Sequence, residues 1–223
     1  MLKNGKISMT LITLRLLFLL ATLYFGIVGV YLNIVQSSNG WNVLTYYTIQ
    51  SNLICLFACG FYIWQLFTKK KLAENLMGLI HGGVLMCIML TFLVYHFLLS
   101  PAQSFDMSTL SKSNAYVHYF LPLMMLANYL LFFKKGLLQY KTIWVWTLVP
   151  ILYCIFVFIY SAFGGRFGAS NDIVPYFFLN YTLYGVFGVV KWIILLAIGY
   201  IGLSAILVSV DKCLHVIPFC GKI

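Results

Sequence analysis

Six long apolar runs constrain this chain more than any other feature, because the connections between them collect nearly all of its lysines. The runs cover about 10–34, 45–67, 76–99, 115–133, 142–163 and 178–208. Each approaches or exceeds the ~20 residues that a helix needs to cross a hydrocarbon core. With 63% hydrophobic and 8% charged residues, a soluble domain would carry a mostly apolar surface. The ten-residue alternating segments of a membrane barrel are absent. The expected fold is therefore all-α: a polytopic integral membrane bundle of six transmembrane helices in a single domain, residues 1–223.

The charge pattern orients the bundle. Lys3 and Lys6 precede the first run, Lys69, Lys70 and Lys71 follow the second, Lys134, Lys135 and Lys141 follow the fourth, and Lys212 and Lys222 follow the sixth. The other three connections hold only Lys112 and Arg166. Positive residues stay on the cytoplasmic side, so both termini are expected there, in a cell membrane, with the loops near 35–44, 100–114 and 164–177 outside. The net charge of +10 is thus a topology signal. No basic and aromatic patch suggests nucleic acid. The first run lacks a small-residue cleavage site and is long enough to span, so it is expected as a transmembrane helix rather than a signal peptide.

This orientation places polar residues at one depth in the outer half. Thr45, Thr48, Ser51, Asn52 and Cys55 recur at spacings of three and four, which gives them one face of a continuous helix. His96 ends the third run, and Asn114 and His118 begin the fourth. A threonine hydroxyl needs a base to attack a carbonyl, and a histidine is the economical one. Thr48, then Thr45, are the candidate nucleophiles and His118 the candidate base. The structural alternative is that these hydroxyls bond to backbone carbonyls or neighbouring helices. In His118-Tyr119-Phe120-Leu121-Pro122, proline lacks an N–H, so the His118 carbonyl is expected to be unpaired and the helix kinked beside the imidazole.

Ser51, Asn52, His96 and Lys191 are candidate substrate contacts, the first two as oxyanion donors. His96 also suits an interfacial position, and Lys191 either an anionic headgroup or snorkelling to the interface. The glycine-containing loop 164–172 with Val174-Pro175-Tyr176 is expected to be a mobile lid or headgroup contact above this level. Gly185, Gly188, Gly199 and Gly202 suggest close packing of the last helix. Glu74, Asp106, Asp172 and Asp211 are the only acids, and none is expected at mid-membrane. That leaves a carboxylate proton relay or a cation-coupled transporter without its usual parts, and excludes a two-carboxylate hydrolase. The six cysteines show no CxxC or Cys/His metal spacing, so neither a metal nor another cofactor is expected.

Four segments carry a resemblance: Tyr46-Tyr47-Thr48-Ile49-Gln50-Ser51-Asn52, Leu90-Thr91-Phe92-Leu93-Val94-Tyr95-His96, His118-Tyr119-Phe120-Leu121-Pro122 and Val174-Pro175-Tyr176-Phe177-Phe178-Leu179-Asn180. Together they resemble a family of bacterial six-helix membrane proteins of uncharacterised function. That family is distantly similar to the eukaryotic androgen-induced membrane hydrolases, which cleave fatty acid esters of hydroxy fatty acids with a threonine and a histidine. The hydrolase threonine pattern matches Trp41 and Leu44-Thr45, whereas the bacterial motif puts its threonine at Thr48, one turn away. The hydrolase histidine precedes a Leu-Pro pair, which His118 and Leu121-Pro122 reproduce one residue shorter. The resemblance implies membrane lipids as partners and a lipid ester as substrate. The alternative is a non-enzymatic protein that binds a lipid or small solute.

Overall fold

The computed structural model describes residues 9–38, 40–68, 72–102, 111–168 and 170–216. Lys3, Lys6, Lys69, Lys70, Lys71, Asp106, Cys220 and Lys222 lie outside the described residues. Six helices are long and apolar enough to cross a membrane: α1 (Met9–Gln36), α2 (Tyr47–Thr68), α3 (Glu74–Leu99), α4 (Lys112–Phe132), α5 (Tyr140–Ala162) and α6 (Tyr181–Val216). The protein is all-α and multi-pass, as the apolar runs predict. The second helix begins at Tyr47 rather than Thr45, because Gly40–Thr45 forms a separate 3-10 helix. The last helix runs past 208 to Val216.

α3 is the central element, packed against α2, α4 and α5, while α1 pairs with α2 and α4. α6 is peripheral and packs mainly on α5 and the short Phe177–Leu179 turn. The largest core cluster unites Leu19, Tyr62, Leu85, Ile88, Met125 and Trp146. Its close packing comes from glycines on α3: a Cβ at Gly82 would collide with the Trp146 indole, whose Nε1 donates to the Leu79 carbonyl at 2.9 Å. The α6 glycines do not play this part. Gly199 and Gly202 face open space, Gly188 meets only Tyr184 of its own helix, and Gly185 at φ 65 breaks the helix. A small residue permits a close approach only where another helix supplies the partner.

The lysine-rich end is tied together by buried charge. Asp211, fully buried, accepts from the Tyr129 hydroxyl and from the Leu138 N–H, both at 2.9 Å. Lys135 turns back to donate to the Tyr129 and Phe133 carbonyls at 2.6 and 2.7 Å. It thereby adds a donor to carbonyls at the end of α4, where the helical ladder runs out; the Tyr129 carbonyl also accepts from the Phe133 N–H at 3.3 Å. On the surface Lys134 pairs with Glu74.

Two helices carry a π-turn near a proline. In α3 it spans Tyr95–Leu99, ahead of Pro101, and the Ser100 N–H donates to the Tyr95 carbonyl. In α4 it spans Tyr116–Phe120, ahead of Pro122, and the Leu121 N–H donates to the Tyr116 carbonyl. The expected kink at Pro122 thus takes the form of a one-residue bulge. In this register the donor that would next serve Val117 is Pro122, which has no N–H. The Val117 carbonyl, next to that of His118, accepts from the Asn52 side-chain amide at 3.1 Å.

Candidate functional site

At the end of the bundle opposite the lysine-rich connections lies a cavity of ≈ 390 Å³ with a mixed polar and apolar lining. Thr48 from α2 and His118 from α4 both face it, together with Asn33 and Gln36 from α1, Tyr95 from α3 and Asn114. Their convergence follows from the local backbone. Asn33 donates to the Ser113 carbonyl at 3.2 Å and so holds the end of α1 against the start of α4. The two π-turns aim Tyr95 and His118 at each other, and the rings stack with centroids 3.7 Å apart and planes 16° from parallel.

His118 is 7% exposed, and its Nδ1 finds no hydrogen-bond partner. Buried polar atoms are nearly always paired. The Nδ1 atom itself is closed off from water, so the ring meets the cavity through its other atoms. Among the described residues no carboxylate orients this imidazole; the Tyr95 ring does so by stacking. On the other side, Tyr176 lines the cavity together with Thr48. Burial pushes the Tyr176 phenol up to about 12, so it stays protonated and able to donate at neutral pH.

The roof is the 164–177 connection, which is pinned. Phe167 and Asp172 exchange both backbone hydrogen bonds at 2.8 Å, and Phe167 is fully buried against Tyr46 and Tyr160. Asn42 donates to the Arg166 carbonyl at 2.9 Å. Gly168, at φ 66, serves a tight turn close to the Tyr46 hydroxyl. Gly168, Pro175 and Tyr176 line the cavity from above.

The other expected site residues do not reach this cavity. Thr45 lies in the 3-10 turn, where its hydroxyl donates to the Asn42 carbonyl at 2.7 Å, so the supposed single face running from Thr45 through Cys55 is interrupted. Ser51 shares a 2.6 Å hydrogen bond with Thr91 of α3, and Asn52 bridges to Val117, so both are occupied in helix packing. His96 is exposed, stacked on Phe92, with its Nδ1 3.3 Å from the Tyr119 hydroxyl. Lys191 is exposed on α6 and faces none of the cavities described. The contributions that sequence reasoning missed are Asn33 and Gln36; their signal is a polar pair three residues apart ending an otherwise apolar helix. No group of three or more metal-ligating side chains occurs among the described residues. No protein-family profile, curated protein or solved structure matches the chain.

Proposed function

We propose that the protein is an intramembrane lipid-ester hydrolase with Thr48 as nucleophile and His118 as base. The single observation that carries this reading is that Thr48 and His118 line one half-open cavity of mixed polar and apolar character. His118 takes the Thr48 proton as Oγ1 attacks the ester carbonyl, and the Tyr176 phenol, which lines the same cavity, donates to the oxyanion that forms. Collapse of the adduct breaks the ester C–O bond, and His118 returns the proton to the departing alcohol. Water then attacks the acyl-threonine, again through His118, releasing the acid and restoring Thr48. The lysine distribution supports a cavity that opens to the outer side, with the lysine-rich end cytoplasmic.

The test is turnover of long-chain ester substrates by purified protein and by its Thr48→Ala, His118→Ala and Thr45→Ala variants. Loss in the first two with retention in the third supports the assignment; undiminished turnover in both of the first two overturns it. A non-enzymatic lipid- or solute-binding role is the second reading, favoured by the lack of a carboxylate behind His118. It predicts no turnover in the wild-type protein and altered ligand binding in the same variants.

A further inference from the structure

A second chamber meets the polar cavity at Thr48, Leu99 and Tyr176, which line both. It runs between α5 and α6, its free volume is ≈ 90 Å³, and its other walls include Pro150, Ile151, Ile193 and Ala197. Ile151 is 38% exposed, on the perimeter of the bundle. Pro150 explains the notch. It cannot bond to the Trp146 carbonyl, which instead accepts from the Tyr200 hydroxyl of α6 at 3.3 Å. One hydrogen bond therefore fixes both walls while leaving the space beside the proline open.

We propose that this chamber takes a single acyl chain from the bilayer, between α5 and α6, and delivers its polar end past Thr48 and Tyr176 into the polar cavity. The surrounding phase and the lining decide the occupant. An apolar void is a poor host for water, and at a hydrocarbon boundary a chain regains the dispersion contacts that an empty chamber forfeits. The ≈ 90 Å³ is below the ~150 Å³ that accommodates a benzene ring, so the chamber seats only a short stretch of one chain, the rest of which lies in the bilayer, and it excludes a second chain or a ring. Because the apolar chamber and the mixed cavity adjoin at Thr48, Leu99 and Tyr176, an amphiphile suits both, its head among Asn33, Asn114 and His118. This deepens the hydrolase reading and rests on it for the position of the reacting carbonyl, whereas seating of the chain requires no turnover.

The experiment uses the full chain in nanodiscs with a palmitic acid analogue bearing a diazirine on its chain, followed by mass spectrometry of the irradiated protein. Adducts are expected on 147–154 and 193–200, several-fold fewer in Ala197→Trp, and unchanged in Ile198→Trp, whose side chain lies on an exposed face. Adducts spread evenly over Ile155, Ile159, Ile198 and Ile206, or undiminished in a folded Ala197→Trp, overturn the proposal. If Ala197→Trp fails to fold, competition by unlabelled palmitic acid on the wild-type map decides: displacement of the 147–154 and 193–200 adducts supports the chamber, and persistence overturns it. Adducts retained in Thr48→Ala, together with an unaltered ester turnover in that variant, would overturn the hydrolase reading and leave the chain site standing.

Discussion

Thr48 and Thr45, three residues apart, separate chemistry from structure at the scale of single side chains. The Thr45 hydroxyl is committed to the Asn42 carbonyl, whereas Thr48 lines the cavity with Tyr176. Thr48→Ala is accordingly expected to abolish ester turnover and His118→Ala to lower it at least ~10²-fold, the lower range for a positioned base. Thr45→Ala should leave turnover near the wild-type value and lower stability by ~1 kcal/mol, one ordinary hydrogen bond. Initial rates and thermal unfolding in detergent measure both effects. Asn52 belongs with structure. It lost its expected role at an oxyanion because the Val117 carbonyl claims its amide. Asn52→Leu should destabilise the protein by ~1–3 kcal/mol through that stranded carbonyl, and an unchanged melting temperature would refute the bridge.

Two prolines, Pro122 and Pro150, organise the elements, each beside a carbonyl that a different helix takes. Asn52 of α2 answers Val117 below Pro122, and Tyr200 of α6 answers Trp146 below Pro150. In a membrane, where no water can serve a spare backbone group, such pairings decide which helices touch. The π-turn ahead of Pro122 also sets the rotation of His118. Pro122→Ala supplies an N–H and permits a continuous α-helix, which moves residues on one side of the bulge by about 100° relative to the other. The expected outcome is a protein that folds as well as wild type yet loses turnover; full turnover with an intact fold would show that the bulge does not aim the imidazole. The same physics explains what the sequence could not reveal about orientation. Spacings of three and four show which residues share a helix face, but not which neighbour that face addresses. Ser51 and Asn52 were therefore legible as polar partners of something, and only packing shows that the partners are Thr91 and Val117. His96 lies inside one bulge and His118 inside the other, so neither rotation follows from an ideal 3.6-residue period.

For the whole molecule, the six helices were legible because hydrocarbon thickness imposes a length on each apolar run. The errors fall where local chemistry departs from that rule. Thr45 belongs to a 3-10 turn, and the run of α6 looks finished at 208 because charged residues follow, although Asp211 is buried against Tyr129 and Leu138 and carries the helix onward. Asp211→Ala strands both donors and should cost ~2–3 kcal/mol, since hydrogen bonds to a charged group are the stronger ones. Orientation is the remaining property of the whole molecule, and the lysines predict it. Trp41 is 72% exposed at the cavity end, and Cys213 is exposed at the lysine-rich end. Of the other described cysteines, Cys55, Cys59 and Cys87 are buried and Cys154 is half-buried within α5, so membrane-impermeant maleimide distinguishes the two ends. In intact cells a Trp41→Cys variant should label, and a variant that also carries Cys220→Ser should show Cys213 label only after the membrane is permeabilised. Labelling of Cys213 in intact cells would invert the bundle, place the cavity lined by Thr48 and His118 on the cytoplasmic side, and require the ester of the proposed reaction to come from the inner leaflet.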